Sequence, residues 1–145
     1  FFAFRESLPQ PCCLKEVDFW NAWKFLLGEE KKTLKILEKL SQKYSVWLLS
    51  NTNPKHIQDD IFNTYQFPKI VDGSIYSFEV GYRKPDIKIY NLAMEKAGSL
   101  YPQECLFIDD LFENIEAANS IGMRGILFHS YEKLEVELAV SGLLP

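Results

Sequence analysis

Cysteine is scarce in this chain and badly placed for a framework. Its three, Cys12, Cys13 and Cys105, form an odd set without C-x-x-C spacing. That excludes a disulfide-stapled scaffold and fits a reducing, cytoplasmic setting. The adjacent Cys12 and Cys13 have no histidine or further cysteine close by, so a thiolate metal centre is set aside too. No apolar run approaches the ~18 residues that a membrane-spanning helix needs. The opening Phe1-Phe2-Ala3-Phe4 is too short for the core of a signal peptide. An excess of positive charge is also missing. A formal charge of −4 and a pI near 5.2 leave no basic footprint, which argues against nucleic acid as a partner. There is no repeat and no low-complexity linker. The chain begins without Met and in mid-pattern, and reads as a fragment.

What is present describes a packed α/β protein. With 145 residues, 47% of them hydrophobic and 14% aromatic, the chain can bury a substantial core. Asp18 to Leu27 carries Phe19, Trp20, Trp23, Phe25, Leu26 and Leu27, a bulky helical face closed by Gly28 and read as packing surface. A second helix over Lys31 to Lys43 places Leu34, Leu37 and Leu40 near one face. Val46 to Leu49 is a short apolar run suited to a buried strand. It ends in the polar cluster Ser50-Asn51-Thr52-Asn53-Pro54, and Lys55 to Phe62 then reads as helix. Ile70-Val71 and Ile75-Tyr76 are weaker strand candidates. Pro85 at a first-turn position opens an amphipathic helix with Tyr90, Ala93, Met94 and Ala97 before Gly98. Leu106 to Ile108 forms a strand, a helix runs through Ile115, Ala118 and Ile121, and a last strand covers Gly125 to Phe128. Tyr131 to Val140 closes the chain as a helix.

Apolar strands alternating with amphipathic helices predict a parallel sheet flanked by helices. Ligands in such folds bind beyond the carboxyl ends of the strands. Two chemically loaded segments fall there. Asp109 and Asp110 follow a strand directly, and adjacent carboxylates repel unless a cation or a proton lies between them. A hard cation with oxygen ligands, Mg²⁺ above all, suits them; a plain reading makes Asp110 the cap of the next helix. Ser50 and Asn51 offer a hydroxyl, an amide and backbone N–H groups as an anion cradle, or else cap the Lys55 helix. Lys84, just before Pro85, would sit at or near a helix N-cap, where its charge is unfavourable unless a bound phosphate offsets it or the side chain turns to solvent. Arg83 is left outside the site as a surface or supporting charge.

Leu48 to Asn53, then Gly81-Tyr82-Arg83-Lys84-Pro85-Asp86, then Leu106 to Asn114 resemble the second, third and fourth motifs of the haloacid dehalogenase-like (HAD) hydrolase superfamily. The form is closest to bacterial sugar-phosphate phosphatases and to the phosphatase-like domain of soluble epoxide hydrolases, and it spans about Asp18 to Phe128. The resemblance implies a HAD-like Rossmannoid sheet over 44–145, with 1–43 as the remnant of a helical cap and its hinge. It implies a phosphatase acting on a small-molecule phosphate ester with Mg²⁺ as cofactor. Carried over residue by residue, it makes Asp110 the direct metal ligand and Asp109 its water-linked partner. Ser50 and Asn51 would hold phosphoryl oxygens, Lys84 would bind the phosphate and neutralise charge, and Asn114 would brace the acidic loop.

The family's first motif, an Asp-x-Asp supplying nucleophile and general acid/base, is absent. The aspartates are Asp18, Asp59, Asp60, Asp72, Asp86, Asp109 and Asp110, and none has that spacing. In the family this motif ends a strand lying between those that end at Ser50 and at Ile108. The expectation is therefore a sheet without its first central strand and a chain inactive by itself. A non-catalytic HAD-like binding or interaction module is the alternative. A phosphorylation-receiver domain is set aside because its acid pair precedes its Ser/Thr and Lys in the chain. Metal-independent dehalogenases are set aside because they do not need the acidic pair.

Overall fold

Two parallel strand pairs carry the core of the protein. The structure, a computed structural model, describes residues 2–24, 31–61, 64–98 and 101–144. Two units are distinguished, Phe1–Glu30 and Lys31–Pro145. The first contains helices α1 (Phe2–Glu6) and α2 (Glu16–Lys24). In α2 the rings of Phe19, Trp20 and Trp23 pack on one another with centroids 4.7–5.9 Å apart, the packing role read from the sequence. Phe25, Leu26, Leu27 and the Gly28 stop lie outside the described residues.

The second unit begins with α3 (Thr33–Ser41) and β1 (Trp47–Ser50), followed by a helical segment with π-type spacing over His56–Ile61. Next come β2 (Gly73–Tyr76), the short α4 (Ser77–Val80), α5 (Ile87–Lys96), β3 (Leu106–Asp109), α6 (Phe112–Ser120), β4 (Arg124–Leu127) and α7 (Tyr131–Val140). Strand β1 pairs in parallel with β2, from Trp47 opposite Gly73 to Ser50 opposite Tyr76. Strand β3 pairs in parallel with β4, from Leu106 opposite Arg124 to Asp109 opposite Leu127. Among the described residues the two pairs form separate sheets, so β1 and β3 each have one unpaired edge. Their apolar runs, suited to burial on both sides, are consequently only half-buried except at Asp109.

Packing joins what the ladders do not. One apolar cluster gathers Ile75, Ile89, Tyr90, Met94, Ala118 and Met123 against Trp47, Leu49 and Phe107, so α5 and α6 bridge both sheets. A second covers the other side of β3 and β4, where Ile126 meets Ile36 of α3 and Leu134 and Leu138 of α7. Two close approaches fix the layers. A Cβ on Gly73 would overlap the Trp47 ring, and one on Gly125 would lie 2.7 Å from Ile115 Cγ2 and 2.9 Å from Asn119 Oδ1.

Several expectations shift in detail. Helix α3 turns Ile36 and Leu40 toward the core, not the Leu34, Leu37 and Leu40 stripe, because this i, i+4 pair meets α7 and the β3–β4 sheet. That packing places α3 in the second unit, whose boundary at Lys31 precedes the residue 43/44 division expected from sequence. Residues Ile70 and Val71 form no strand. Phe67–Lys69 is a 3₁₀ turn with Pro68 in it, and the chain enters β2 only at Gly73. Helix α5 starts two residues after Pro85, with the Asp86 carboxylate accepting from Lys88 N at 3.0 Å as its cap. Lys84 sits in the preceding loop, two residues before the Asp86 N-cap and near the helix start as expected.

Tyr90 is the most deeply set polar side chain of the core. It is fully buried, its hydroxyl donates to Asn114 O at 3.0 Å, and its ring meets Phe107 edge-on at 5.1 Å. Burial, then the negative charge of Asp109, push its pKa up to about 12. The folded value exceeds the unfolded value near ~10, so this contribution to stability is complete below about pH 10 and is lost as pH rises through the folded pKa. Tyr131, bonded to Glu135, is also raised, so tyrosinate absorbance during alkaline titration should show a late-ionising component that Tyr90→Phe diminishes and Tyr131→Phe does not fully remove. A late component unchanged by Tyr90→Phe would refute the burial. Gly125→Ala should cost about 1–3 kcal/mol in urea unfolding, since the added methyl meets α6 with no room to move.

Candidate functional site

The strand ends are built from short polar runs that follow apolar ones. After Ser50 the chain leaves β1 as Asn51-Thr52-Asn53, and after Asp109 it leaves β3 as Asp110-Leu111. Polar side chains at these points replace the hydrogen bonds that the ladder no longer supplies. Thr52 N donates to Ser77 Oγ at 3.2 Å, and Ser77 Oγ donates back to Thr52 O at 3.3 Å, tying the end of β1 to the end of β2. Asn53 Oδ1 accepts from His56 N at 3.1 Å and opens the next helical segment.

Lys84 is held from two directions. Its peptide N–H donates to Asn51 Oδ1 and its carbonyl accepts from Asn51 Nδ2, both at 2.9 Å. Its ammonium donates to Asp109 Oδ2 at 2.5 Å and lies 5.6 Å from the centre of the Phe107 ring. The side chains of Lys84 and Asp109 are 11% and 6% exposed, so this is an enclosed ion pair. The side chain of Asn51, a residue expected to hold phosphoryl oxygens, pairs with the main chain of Lys84. One side-chain amide matches the N–H and C=O of one residue, donor to acceptor and acceptor to donor, and so places the Lys84 main chain.

Asp109 and Asp110 occupy opposite environments. Asp109 Oδ1 accepts from Leu111 N at 2.9 Å and from Asn114 Nδ2 at 2.8 Å, while Oδ2 takes the Lys84 ammonium. Burial pushes its carboxyl pKa up, but the bonds from Lys84, Asn114 and Leu111 N and the charge of Lys84 more than reverse this and hold it below the ordinary carboxylate range. Asp110 is exposed. It does not cap α6, whose N-cap is Leu111 with no side-chain bond; the loop is closed by Asp109 instead. Asn114 is 2% exposed, and its Oδ1 is buried without a hydrogen-bond partner.

These residues fit a hard cation in chemistry and fall short in number. Among the described residues no three acidic, histidine or cysteine side chains converge. Asp109 already accepts three hydrogen bonds, two at Oδ1 and one at Oδ2, which suits it to receive a further one from a metal-bound water at Oδ2. Asp110 offers the one uncommitted carboxylate. Mg²⁺ commonly takes one or two carboxylates, keeping waters and substrate phosphate as its other ligands. The corner is compatible with that pattern.

A cleft of about 450 Å³ opens beside Asn51. Thr52, Ser77, Phe78, Tyr82 and Arg83 line it. Sequence reasoning left Arg83 out of the site, yet its neighbour Lys84 turns toward Asp109 while Arg83 borders the cleft. The available signal was the adjacency itself, since two basic residues in one loop need not face the same way. Among the described residues Ser50 Oγ makes no hydrogen bond, and its hydroxyl stays open to a ligand.

Comparison with known proteins identifies the family of the chain. A family model described as haloacid dehalogenase-like hydrolase matches residues 21–122. D-ribitol-5-phosphate phosphatase of Bacteroides thetaiotaomicron is 31% identical over 127 residues, covering 82% of this chain and 61% of that protein. Flavin mononucleotide hydrolase 1 of Arabidopsis thaliana is 38% identical over 65 residues, covering 43% and 25%. The chain spans less than two thirds of the length of these relatives. Among solved structures, the magnesium complex of a HAD family enzyme from Bacteroides thetaiotaomicron matches with a TM-score of 0.76 at 27% identity, over 92% of this chain and 71% of that one. An aspartate-to-alanine variant of that enzyme, in complex with magnesium and inorganic phosphate, matches with a TM-score of 0.73 at 26% identity, over 92% and 73%. The family match takes in the end of β1, the Lys84 loop and the end of β3 together, and the chain belongs to the haloacid dehalogenase-like hydrolases.

Proposed function

We propose that the full-length protein is a magnesium-dependent phosphatase that hydrolyses a small phosphate monoester, a sugar phosphate, through an aspartyl-phosphate. The observation that carries this reading is the Lys84 joint. It brings an ammonium, the open Ser50 hydroxyl and the uncommitted Asp110 carboxylate to neighbouring strand ends. The D-ribitol-5-phosphate phosphatase relative supports the choice of substrate class.

In this reading Ser50 donates to a phosphoryl oxygen, and Lys84 faces the negative charge that grows on the transferring group. Asn51 fixes the Lys84 main chain, so the ammonium meets the substrate without a search through rotamers. Asn114 and Leu111 N hold Asp109 ionised, which keeps Lys84 charged and aimed. Magnesium would be held by Asp110 directly and by Asp109 through a water, and would supply charge stabilisation on the phosphoryl oxygens. The nucleophile would come from an Asp-x-Asp segment, which this sequence does not contain; the chain alone is therefore inactive.

Placing a segment that ends in Asp-x-Asp ahead of this chain should produce Mg²⁺-dependent hydrolysis of sugar phosphates. No activity on any phosphate ester would overturn the phosphatase reading in favour of a non-catalytic binding module. In that reconstituted enzyme Ser50→Ala should lower kcat/KM about 10²-fold, the usual cost of one lost donor to a developing anion. The fold should be unaffected, because the hydroxyl has no partner to lose. Asp110→Asn should abolish the heat of Mg²⁺ binding in calorimetry of the chain as it stands; unchanged binding would remove Asp110 from the metal corner.

A further inference from the structure

The cleft beside Asn51 has a chemical character that the phosphoryl site does not use. Its lining includes Arg83 and, among the described residues, no aspartate or glutamate. Arg83 is exposed, and its side chain makes no ion pair or hydrogen bond among the described residues; its carbonyl accepts from Asp86 N at 2.9 Å. Thr52 and Tyr82 bring hydroxyl groups that likewise bond to no described residue. By contrast, the other polar groups there are committed: Asn51 to Lys84, Asn53 to His56, Ser77 to Thr52. The open groups are therefore one planar cation and two hydroxyls, beside the rings of Phe78 and Tyr82. Lys88 stands 5.1 Å from the centre of the Tyr82 ring and adds positive charge at the rim.

The cleft adjoins the phosphoryl corner at Asn51, which lines the cleft and clamps the main chain of Lys84. At about 450 Å³ it lies within the ~300–1,000 Å³ of small-molecule sites. A leaving group attached to a phosphoryl at Ser50 and Lys84 can extend into it. Guanidinium geometry favours a carboxylate or a second phosphate over a hydroxyl, because the paired N–H donors match two anionic oxygens at once.

We propose that this cleft is the leaving-group subsite and that Arg83 is its specificity residue, selecting hydroxylated phosphate esters that carry a second anionic group. The inference rests on the phosphatase reading above, since it takes Ser50 and Lys84 as the phosphoryl anchor. Thr52 and Tyr82 meet the hydroxyls of the intervening chain, and the aromatic rings meet its carbon faces.

A matched pair of probes tests it. 6-Phosphogluconate and sorbitol 6-phosphate have the same length and differ at one end, carboxylate against hydroxymethyl. Calorimetric titration of the chain in Mg²⁺ buffer should find 6-phosphogluconate bound roughly tenfold more tightly, the effect of one charge-assisted contact. Arg83→Gln should erase that preference and leave the affinity for inorganic phosphate unchanged. Arg83 is exposed, so the variant keeps its fold. Equal binding of the two esters, or an Arg83→Gln change that weakens both alike, overturns the subsite. Inorganic phosphate that does not bind, or binds equally to Ser50→Ala, overturns the phosphoryl anchor and with it the reading beneath the subsite.

Discussion

A lysine held at its peptide group by Asn51 and at its ammonium by Asp109 lets two strand pairs with no shared ladder present one site. Each strand pair alone ends in a polar loop with its own local bonds. Lys84 is the polar connection between those ends, while α5 and α6 make the apolar one underneath. The joint is stiff because it is enclosed. A buried ion pair gains little net stability when intact, but removing one partner leaves the other charge stranded at a cost of about 3–5 kcal/mol. Replacing Lys84 would therefore disturb the acidic loop as well as the anion site.

The support beneath the pair is as specific as the pair. Tyr90 holds the main chain of Asn114 through its hydroxyl and places its ring edge against Phe107, whose own ring lies near the Lys84 ammonium. A single core residue thus touches the carrier of the Asp109 brace and the surface under the cation. Its high pKa comes from the same enclosure, and core packing and site geometry are one problem at this position.

Much of this was readable from residue order. Ser50, Lys84 and Asp109-Asp110 each follow an apolar run or adjoin a proline, and periodicity placed those boundaries to within a residue or two. The α7 limits match the expected Tyr131 to Val140, and the structure supplies a start signal there, the Ser130 side chain accepting from Lys133 N. What escaped was the partner of each polar group. Nothing in Asn51 announces that its amide will match a peptide thirty-odd positions along the chain, because that match depends on how α5 docks. The direction of Arg83 depends likewise on the loop, and the buried face of α3 on where α7 lies. Residue type gives a group's chemistry, but tertiary packing decides whether that chemistry is already taken.

The commitment of Lys84 to Asp109 also sets an order of arrival. Counting formal charges at the corner, Lys84 contributes +1 and Asp109 and Asp110 contribute −1 each, a sum of −1. A phosphate dianion approaching this corner first meets a field of its own sign, although a lysine is present. A divalent cation raises the sum to +1, and the same anion is then attracted. In the proposed phosphatase, cation and anion binding would thereby be linked through the charge balance, each strengthening the other by the same factor. The ion pair that positions the lysine would then also keep it from acting as an anion trap before a metal is in place.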